Sequence, residues 1–447
     1  MLIPTTRAAA VSAAAAGALL AWPGRSWWAF AVVNAVLVGA VVVDAVLASS
    51  PAVLHVEREL AETVRLGDTT TGSAEVAWLI DNPTDRTVRA TISDALWPSL
   101  GATRRTFRTV VEGGTRRRIT ARLHPQRRGR FPLERVTVRV TGPLGLVARQ
   151  ASRSVPGAIK VMPAYTSRDA VRRRLRIPRV PDVGVRAVRV SGGGTEFDQL
   201  RDYREGDEFR RIDWASTARL QRPIVKQFRT ERNQTVVMLL DNGRVMAGTV
   251  NGVPRVEHAM DAALGLADAA AFVGDRIGMV AFDRQVRAIV PATNARNHLG
   301  RLSEAMYLLE PDLGESAYLA AFSAAAARFR RRSLYVVFTD LTEATVEQTV
   351  RPALAVLVRR HVVVVASVRD PVIAAWARQP GGTGDGAGPE WASDAYRQAA
   401  AVAAIDARER VAARLRSAGA LVIDAEPGHL AVRLVDTYLE LKASGRL

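Results

Sequence analysis

The spacing of apolar positions divides the chain into three regimes. At the start, residues 8–22 and 27–47 are nearly unbroken apolar runs on either side of the turn-forming Pro23-Gly24-Arg25-Ser26. The second run carries only Asn34 and Asp44 as strongly polar groups. As a helix it reaches about 31 Å, enough to cross a bilayer. The shorter first run fits either the other half of a membrane hairpin or a signal-peptide core with Arg7 at its positive end. Trp22, Trp27 and Trp28 suit a membrane interface, and Arg7, Arg58 and Arg65 against Arg25 in the turn predict that both ends face the cytoplasm.

From 51 to 155 the pattern changes to short runs that alternate apolar with polar, separated by Gly, Pro and Asn-Pro breaks. Strands are expected at 73–80, 87–92, 117–123 and 135–140, forming a small antiparallel β-sandwich. From about 233 buried-strand runs alternate with helical stretches. The strands are expected at 235–240, 276–282, 286–290, 333–338, 361–366 and 421–423. Helices are expected at 256–272, 297–309, 316–330, from 343, at 394–417 and from Leu430. Such alternation predicts an α/β fold, a doubly wound and mainly parallel sheet with helices on both faces. Residues 380–388 read as a Gly-rich surface loop, and no internal repeat is present. The expected organisation is a two-helix transmembrane hairpin (1–50), the β-sandwich (51–155), a basic linker with a distinctive motif (156–232) and the α/β domain (233–447).

Composition narrows the chemistry. The 447 residues contain no cysteine, which removes disulfide frameworks, thiolate metal sites and cysteine nucleophiles, and only six histidines, all scattered singly. The net charge is +18. The excess is local: residues 101–190 hold 22 arginines and Lys160 against Glu112, Glu134, Asp169 and Asp182. That segment is a candidate for anionic lipid or nucleic acid, although the whole chain has only three lysines beside 59 arginines, a skew that points to genome composition. No specific nucleic-acid partner is expected. The chain has no H-E-x-x-H, G-x-S-x-G or G-x-x-x-x-G-K-[ST], and the run Gly192-Gly193-Gly194 lacks the lysine of a phosphate loop, so neither ATPase activity nor another enzymatic activity is expected.

In a doubly wound sheet, ligands gather at the carboxyl ends of strands beside the switch in strand order. Asp241 ends the first strand and Asp340 follows a later one. With hydroxyls or waters, two such carboxylates can hold Mg²⁺, while in the plainer reading each caps its own loop. A metal-dependent hydrolase built on the pair is the enzymatic alternative. This half of the chain resembles a von Willebrand factor A domain, whose metal-ion-dependent adhesion site uses Asp-x-Ser-x-Ser, a later Thr and a later Asp. The resemblance places Asp241 as the first Asp, Ser316 at the Thr position and Asp340 as the last Asp, with Gly243 and Val245 where the serines belong. Two hydroxyl ligands are therefore missing, and the site reads as degenerate.

The most distinctive motif lies upstream. It runs Gly194-Thr195-Glu196-Phe197-Asp198-Gln199-Leu200-Arg201-Asp202-Tyr203-Arg204-Glu205-Gly206-Asp207, then Arg210-Arg211-Ile212-Asp213-Trp214, then Thr217-Ala218-Arg219. Seven acids and five arginines interleave between 194 and 219, which favours an ion-paired layer over a phosphate-binding strip. Phe197, Tyr203, Phe209 and Trp214 read as packing anchors, Gly206-Asp207 as a turn and Asp213 as the cap of a short helix ending at Arg219. The plain expectation is a clasp onto the following domain. The motif resembles the bacterial membrane-protein family catalogued as domain of unknown function fifty-eight, whose genes commonly neighbour MoxR-type AAA+ ATPases. That resemblance implies a membrane-anchored, non-enzymatic partner of such an ATPase, acting in assembly or maturation of other proteins. Client and oligomeric state stay open.

Overall fold

The computed structural model describes residues 1–21, 27–67, 74–176, 196–204, 207, 209, 212–229, 233–294, 297–378 and 389–447, which fall into two units, Met1–Met162 and Pro163–Leu447. The expected turn at 23–26, Ser73, Gly192 to Gly194, Gly206, Arg210 and the loop at 380–388 lie outside the described residues.

The first unit opens with β1 (Leu2–Pro4), α1 (Thr6–Ala21) and α2 (Trp27–Leu47). There follow β2 (His55–Leu60), β3 (Thr63–Arg65), β4 (Glu75–Asn82), β5 (Val88–Asp94), β6 (Thr106–Val111), β7 (Thr115–Arg122), β8 (Gly129–Thr141) and β9 (Val147–Met162). One sheet runs β1-β9-β8-β5-β6 and the other β2-β4-β7. Alternation drives the packing: Val88, Ala90 and Ile92 of β5 point inward and join Val76, Trp78 and Ile80 of β4 in one core, while Arg89, Thr91 and Ser93 point outward. All pairings are antiparallel except β3 with β9, which is parallel. Inside this core Arg58 forms a bidentate pair with Asp94 at 2.8 Å, and Asp94 also accepts from Trp78 Nε1 at 2.7 Å. Arg58 is thus a buried structural charge, and its contribution to the orientation count falls away.

Of the two leading helices, α2 is long and apolar enough to cross a membrane, with little of its surface buried, and α1 is a shorter apolar helix. Asp44 near the end of α2 is fully buried, because its carboxylate accepts from the backbone N–H groups of Leu144, Leu146 and Val147 at 2.7–2.8 Å in the β8–β9 turn. Gly142 makes room for it: a Cβ there would lie 2.4 Å from Asp44 Oδ1. The same turn receives the start of α1, where Thr5 donates its N–H to Leu146 O and its hydroxyl to Gly145 O.

The second unit begins with α3 (Arg168–Arg176), which lies in the stretch read as linker but packs Val171 into the α/β core. After it come β10 (Glu196–Asp202), α4 (Trp214–Leu220), β11 (Ile224–Arg229), β12 (Thr235–Asp241), α5 (Arg244–Ala247), β13 (Thr249–Val250), β14 (Val253–Pro254), α6 (Arg255–Val273), β15 (Arg276–Phe282) and β16 (Val286–Thr293). The chain continues through α7 (His298–Met306), α8 (Tyr318–Arg328), β17 (Leu334–Phe338), α9 (Glu343–Thr345) with a π-helical turn at Val346–Val350, and α10 (Arg351–Val358). It ends with β18 (Val362–Val368), α11 (Pro371–Arg378), α12 (Pro389–Ser417), β19 (Leu421–Ala425) and α13 (Leu430–Ala443).

The main sheet has the order β16-β15-β12-β17-β18-β19, parallel except for the antiparallel edge strand β16. Strand β12 is buried on both sides. Val236, Met238 and Leu240 face a core with α6, α7 and α13, whereas Val237 and Leu239 face a second core with α8, α10 and α12. The chain moves from β12 to β15 on one side and later returns to β17 on the other. The switch in strand order therefore lies between β12 and β17, where Asp241 ends one strand and Asp340 follows the other.

Candidate functional site

Asp241 sits at this crest, fully buried and satisfied by four neutral donors. Its Oδ1 accepts from Gly243 N at 2.9 Å and from Ser316 Oγ at 2.5 Å. Its Oδ2 accepts from Tyr318 OH at 2.5 Å and from Thr339 Oγ1 at 2.8 Å. Burial pushes the Asp241 carboxyl up from its ordinary range, against the opposing pull of those hydrogen bonds. Ser316 stands where the resemblance places it, and Gly243 has a specific structural part: a Cβ at 243 would lie 2.0 Å from Ser316 Oγ. The missing side chain is what lets Ser316 reach Asp241. Val245 lies on the wall of a small crevice with Arg244, Ser316, Tyr318, Thr345, Gln348 and Thr349, and the exposed Arg244–Glu315 pair at 3.2 Å borders it.

Asp340 belongs to a separate, charged network. Its Oδ1 takes Arg408 Nη1 at 2.8 Å and Ser367 Oγ at 3.2 Å, with Arg255 Nε 3.8 Å away, and its Oδ2 takes Thr342 Oγ1 at 3.2 Å. Arg408, on α12, also reaches Asp424 at 2.9 Å and Ser367 Oγ at 2.8 Å. One guanidinium thus ties together the ends of β17, β18 and β19. Burial alone would raise the Asp340 carboxyl; Arg408 and Arg255 outweigh it and hold the group below its usual range.

The donor set does not suit Mg²⁺ with the geometry implied by the resemblance. That ion asks for a near-octahedral shell of oxygens. Gly243 and Val245 offer no side-chain oxygen, Asp241 has its lone pairs engaged by four donors, and Asp340 is already neutralised by arginine. Among the described residues, no group of three or more carboxylates and histidines comes together as a metal-holding cluster. Arg408, Tyr318, Thr339 and Ser367 complete the crest and were not singled out from the sequence. Tyr318, two residues after Ser316, had a local signal. Arg408, among the charges of a long helix, had none.

The upstream motif folds as a hairpin. Strand β10 pairs antiparallel with β11, with an irregularity between Phe197 and Gln199. Arg201 grips Asp207 through two bonds of 2.6 and 2.7 Å, Asp207 also accepts from Arg204 N, and Arg222 pairs with Asp202 at 3.0 Å. Asp213 caps α4 by accepting from Ala215 N and Ser216 N, and Lys226 lies 3.4 Å from its carboxylate. Ile212 bridges to Val225, and Tyr203 donates its N–H to Pro223 O. Glu196, Leu200, Ala218 and Arg219 lie on this same frame, the last two on α4. Of these ion pairs, Arg201–Asp207 joins two residues of the motif, whereas Arg222 and Lys226 lie beyond it. Two of the aromatic anchors expected from the sequence differ: Phe209 is 73% exposed and Trp214 68% exposed, and Leu200 and Leu220 of the same segment are exposed as well. Phe209 stacks at 5.8 Å from Tyr203, and neither Phe209 nor Trp214 joins a buried core cluster among the described residues.

Residues 199–375 match the family described as protein of unknown function DUF58. Over that stretch the chain is similar to DUF58. The matched segment contains the hairpin from residue 199 onward together with Asp241, Ser316 and Asp340, whereas Arg408 and Asp424 lie beyond it. The uncharacterized protein Rv1480 of Mycobacterium tuberculosis is 28% identical over 188 residues, which cover 41% of this chain and 57% of that protein. The chain thus spans little more than half the length of the curated relatives it matches. Among solved structures, the conserved hypothetical protein BatB from Bacteroides thetaiotaomicron is similar at 15% identity and a TM-score of 0.30, over 47% of this chain and 99% of BatB. The SpRpn10 VWA domain is similar at 14% identity and a TM-score of 0.27, over 46% of this chain and 95% of that domain.

Proposed function

We propose that the protein is a membrane-anchored, non-enzymatic interaction module, and that the hairpin at 196–229 is its binding surface. The observation that carries this reading is the exposure of Leu200, Phe209, Trp214 and Leu220 within one short segment that also holds the Arg201–Asp207 and Arg222–Asp202 pairs. Exposed aromatic and aliphatic groups rimmed by charge are typical of protein contact sites. The crest supports a binding role, because Asp241 and Asp340 are each locked by protein donors and neither is free to act on a substrate. The α/β unit reads as von Willebrand factor A-like with its metal chemistry replaced by arginine.

The anchor is α2, with α1 as the second arm of a hairpin. The start of α1 and the end of α2 are both tied to the β8–β9 turn, which supports a return to one side of the membrane, read as the cytoplasmic side. The partner follows from the family resemblance: a MoxR-type AAA+ ATPase, with the pair acting in assembly or maturation of other proteins. The test is affinity capture of the full chain in detergent with a MoxR-type AAA+ ATPase of the same organism, comparing the native protein with Phe209→Ala/Trp214→Ala. Because both side chains are exposed, the variant keeps its unfolding temperature while its ATPase recovery falls at least tenfold. Equal recovery with native and variant protein refutes the surface, and no recovery with either refutes the partner.

A further inference from the structure

The first unit presents a sheet face whose chemistry the interaction hairpin does not use. On the outer side of β6-β5-β8-β9 the register sets the residues in rows. The row next to the β8–β9 turn holds Val110, Arg89, Thr141 and Ala148; the second holds Arg108, Thr91, Arg139 and Gln150; the third holds Thr106, Ser93, Thr137 and Ser152. Arg89, Arg108 and Arg139 are exposed, and these rows contain hydroxyl and amide side chains but no carboxylate. Arg139 donates twice to Gln150 Oε1, which holds its guanidinium on the face, and among the described residues neither Arg89 nor Arg108 has an ion-pair partner. Asp85 and Glu112 lie in the loops at the same end, and Arg117 brings a further cation there by donating to Val110 O.

The turn at which these rows begin is the one that captures Asp44 of α2 through three backbone N–H groups. A carboxylate so held lies at the end of the membrane-crossing stretch, so this turn, with Leu144 exposed at its tip, lies at the bilayer surface. We infer that the Arg89–Arg108–Arg139 face docks on anionic lipid headgroups of the leaflet at the carboxyl end of α2. Adjacent strands lie about 4.8 Å apart, so Arg108 and Arg139 flank Thr91 at roughly 10 Å, a spacing that admits a phosphate between two guanidinium groups with a hydroxyl at its centre.

Distance selects the residues. At about 3.4 Å per residue, Arg139 is some 7 Å along β8 from Thr141 and Arg135 some 20 Å, whereas charges are screened over about 8 Å at physiological salt. Arg89, Arg108 and Arg139 are within reach of the headgroups. Arg135, on the same strand, is beyond reach and serves as an internal control. Each arginine within reach contributes about fivefold to the ratio of docked to free face. This inference rests on α2 being the membrane anchor.

The test uses the full chain in nanodiscs that carry a headgroup quencher, made either of phosphatidylcholine or of equal parts phosphatidylcholine and phosphatidylglycerol. Because the chain has no cysteine, Thr91→Cys and, separately, Ser154→Cys each accept a single fluorophore. Quenching at 91 is expected to rise with phosphatidylglycerol, to fall with added salt, and to lose about fivefold in the docked-to-free ratio for each of Arg89→Gln, Arg108→Gln and Arg139→Gln. Arg135→Gln and the label at 154 are expected to show no such change. Quenching at 91 that ignores lipid charge, or that matches the signal at 154, overturns the inference. Binding of a short DNA duplex in phosphatidylcholine discs with the same arginine dependence overturns it in favour of a nucleic-acid face. Release of the chain from vesicles by alkaline carbonate overturns the anchor, and this inference with it; a chain that resists extraction but ignores lipid charge overturns the inference alone.

Discussion

Arg408 is the most exacting point in the α/β unit, because one side chain neutralises Asp340, binds Asp424 and holds Ser367 across three strand ends. Replacing it with methionine keeps most of the apolar stem and removes the charge. Asp424, partly exposed, can take up water, but Asp340 is left buried with only Arg255 nearby at 3.8 Å. Breaking a buried pair by removing one partner costs about 3–5 kcal/mol. Since Arg255 and some water compensate in part, about 3 kcal/mol is expected here, or roughly 6–12 °C in the unfolding temperature of a unit this size. The assay is thermal unfolding of the detergent-solubilised chain, followed by circular dichroism across pH.

The pH dependence gives the sharper criterion. In the native protein the Asp340 carboxyl is held below its ordinary range, so its contribution is present above the unfolded value near 4 and is lost as the pH falls through the lower folded value. In Arg408→Met burial dominates and the folded value rises. In the variant the Asp340 contribution is then most favourable in acid, when the group is protonated, and is lost as the pH rises through the new value. The gap between the two proteins is therefore widest at neutral pH and narrows below about pH 4. Asp340→Asn/Arg408→Met, which removes both charges, recovers most of the loss. A loss under about 1 kcal/mol, or a gap that does not change with pH, refutes the argument that Arg408 is the counter-ion of Asp340.

Two further substitutions probe how the chain departs from its resemblance and how its anchor is held. Gly243→Ser supplies the hydroxyl that the adhesion-site pattern asks for, but its Cβ must displace Ser316 Oγ from Asp241. The expected outcome is a loss of about 1–3 kcal/mol in urea unfolding, with no heat of Mg²⁺ binding by calorimetry while Arg408 is present. A stable variant that binds Mg²⁺ contradicts the structural account of Gly243. Asp44→Ala leaves the N–H groups of Leu144, Leu146 and Val147 without their acceptor. Hydrogen exchange at those three amides is expected to rise at least tenfold, corresponding to the loss of one or more buried hydrogen bonds worth about 1–3 kcal/mol; unchanged protection refutes the anchoring contact.

Much of the architecture is legible in periodicity alone. The α/β alternation after residue 233 is decided by burial on both sheet faces, so Thr235–Asp241, Leu334–Phe338 and Val362–Val368 are near-continuous apolar runs that bracket their strands within a residue or two. Asp213 as the cap of Trp214–Leu220 follows from local chemistry, since a carboxylate reaches the N–H groups two and three residues on. Strands His55–Leu60 and Thr106–Val111 were less visible. They are short and half solvated, and Pro371–Arg378 gives a helical signal too brief to separate from its surroundings.

What the sequence by itself determined is every feature carried by neighbours along the chain: the apolar leading helices, the strand-helix order of the second unit, the acid-arginine motif and the positions Asp241 and Asp340 at strand ends. What the tertiary structure decided is what those groups face. Arg58 pairs with Asp94 across 36 positions, Asp44 meets the β8–β9 turn across 100, and Arg408 reaches Asp340 across 68. The physical reason is that the strength of a charge or hydrogen bond depends on separation in space and on exclusion of water, and neither is encoded in spacing along the chain. The same limit applies to Phe209 and Trp214: their composition suggests a core, and only the folded hairpin leaves them in solvent.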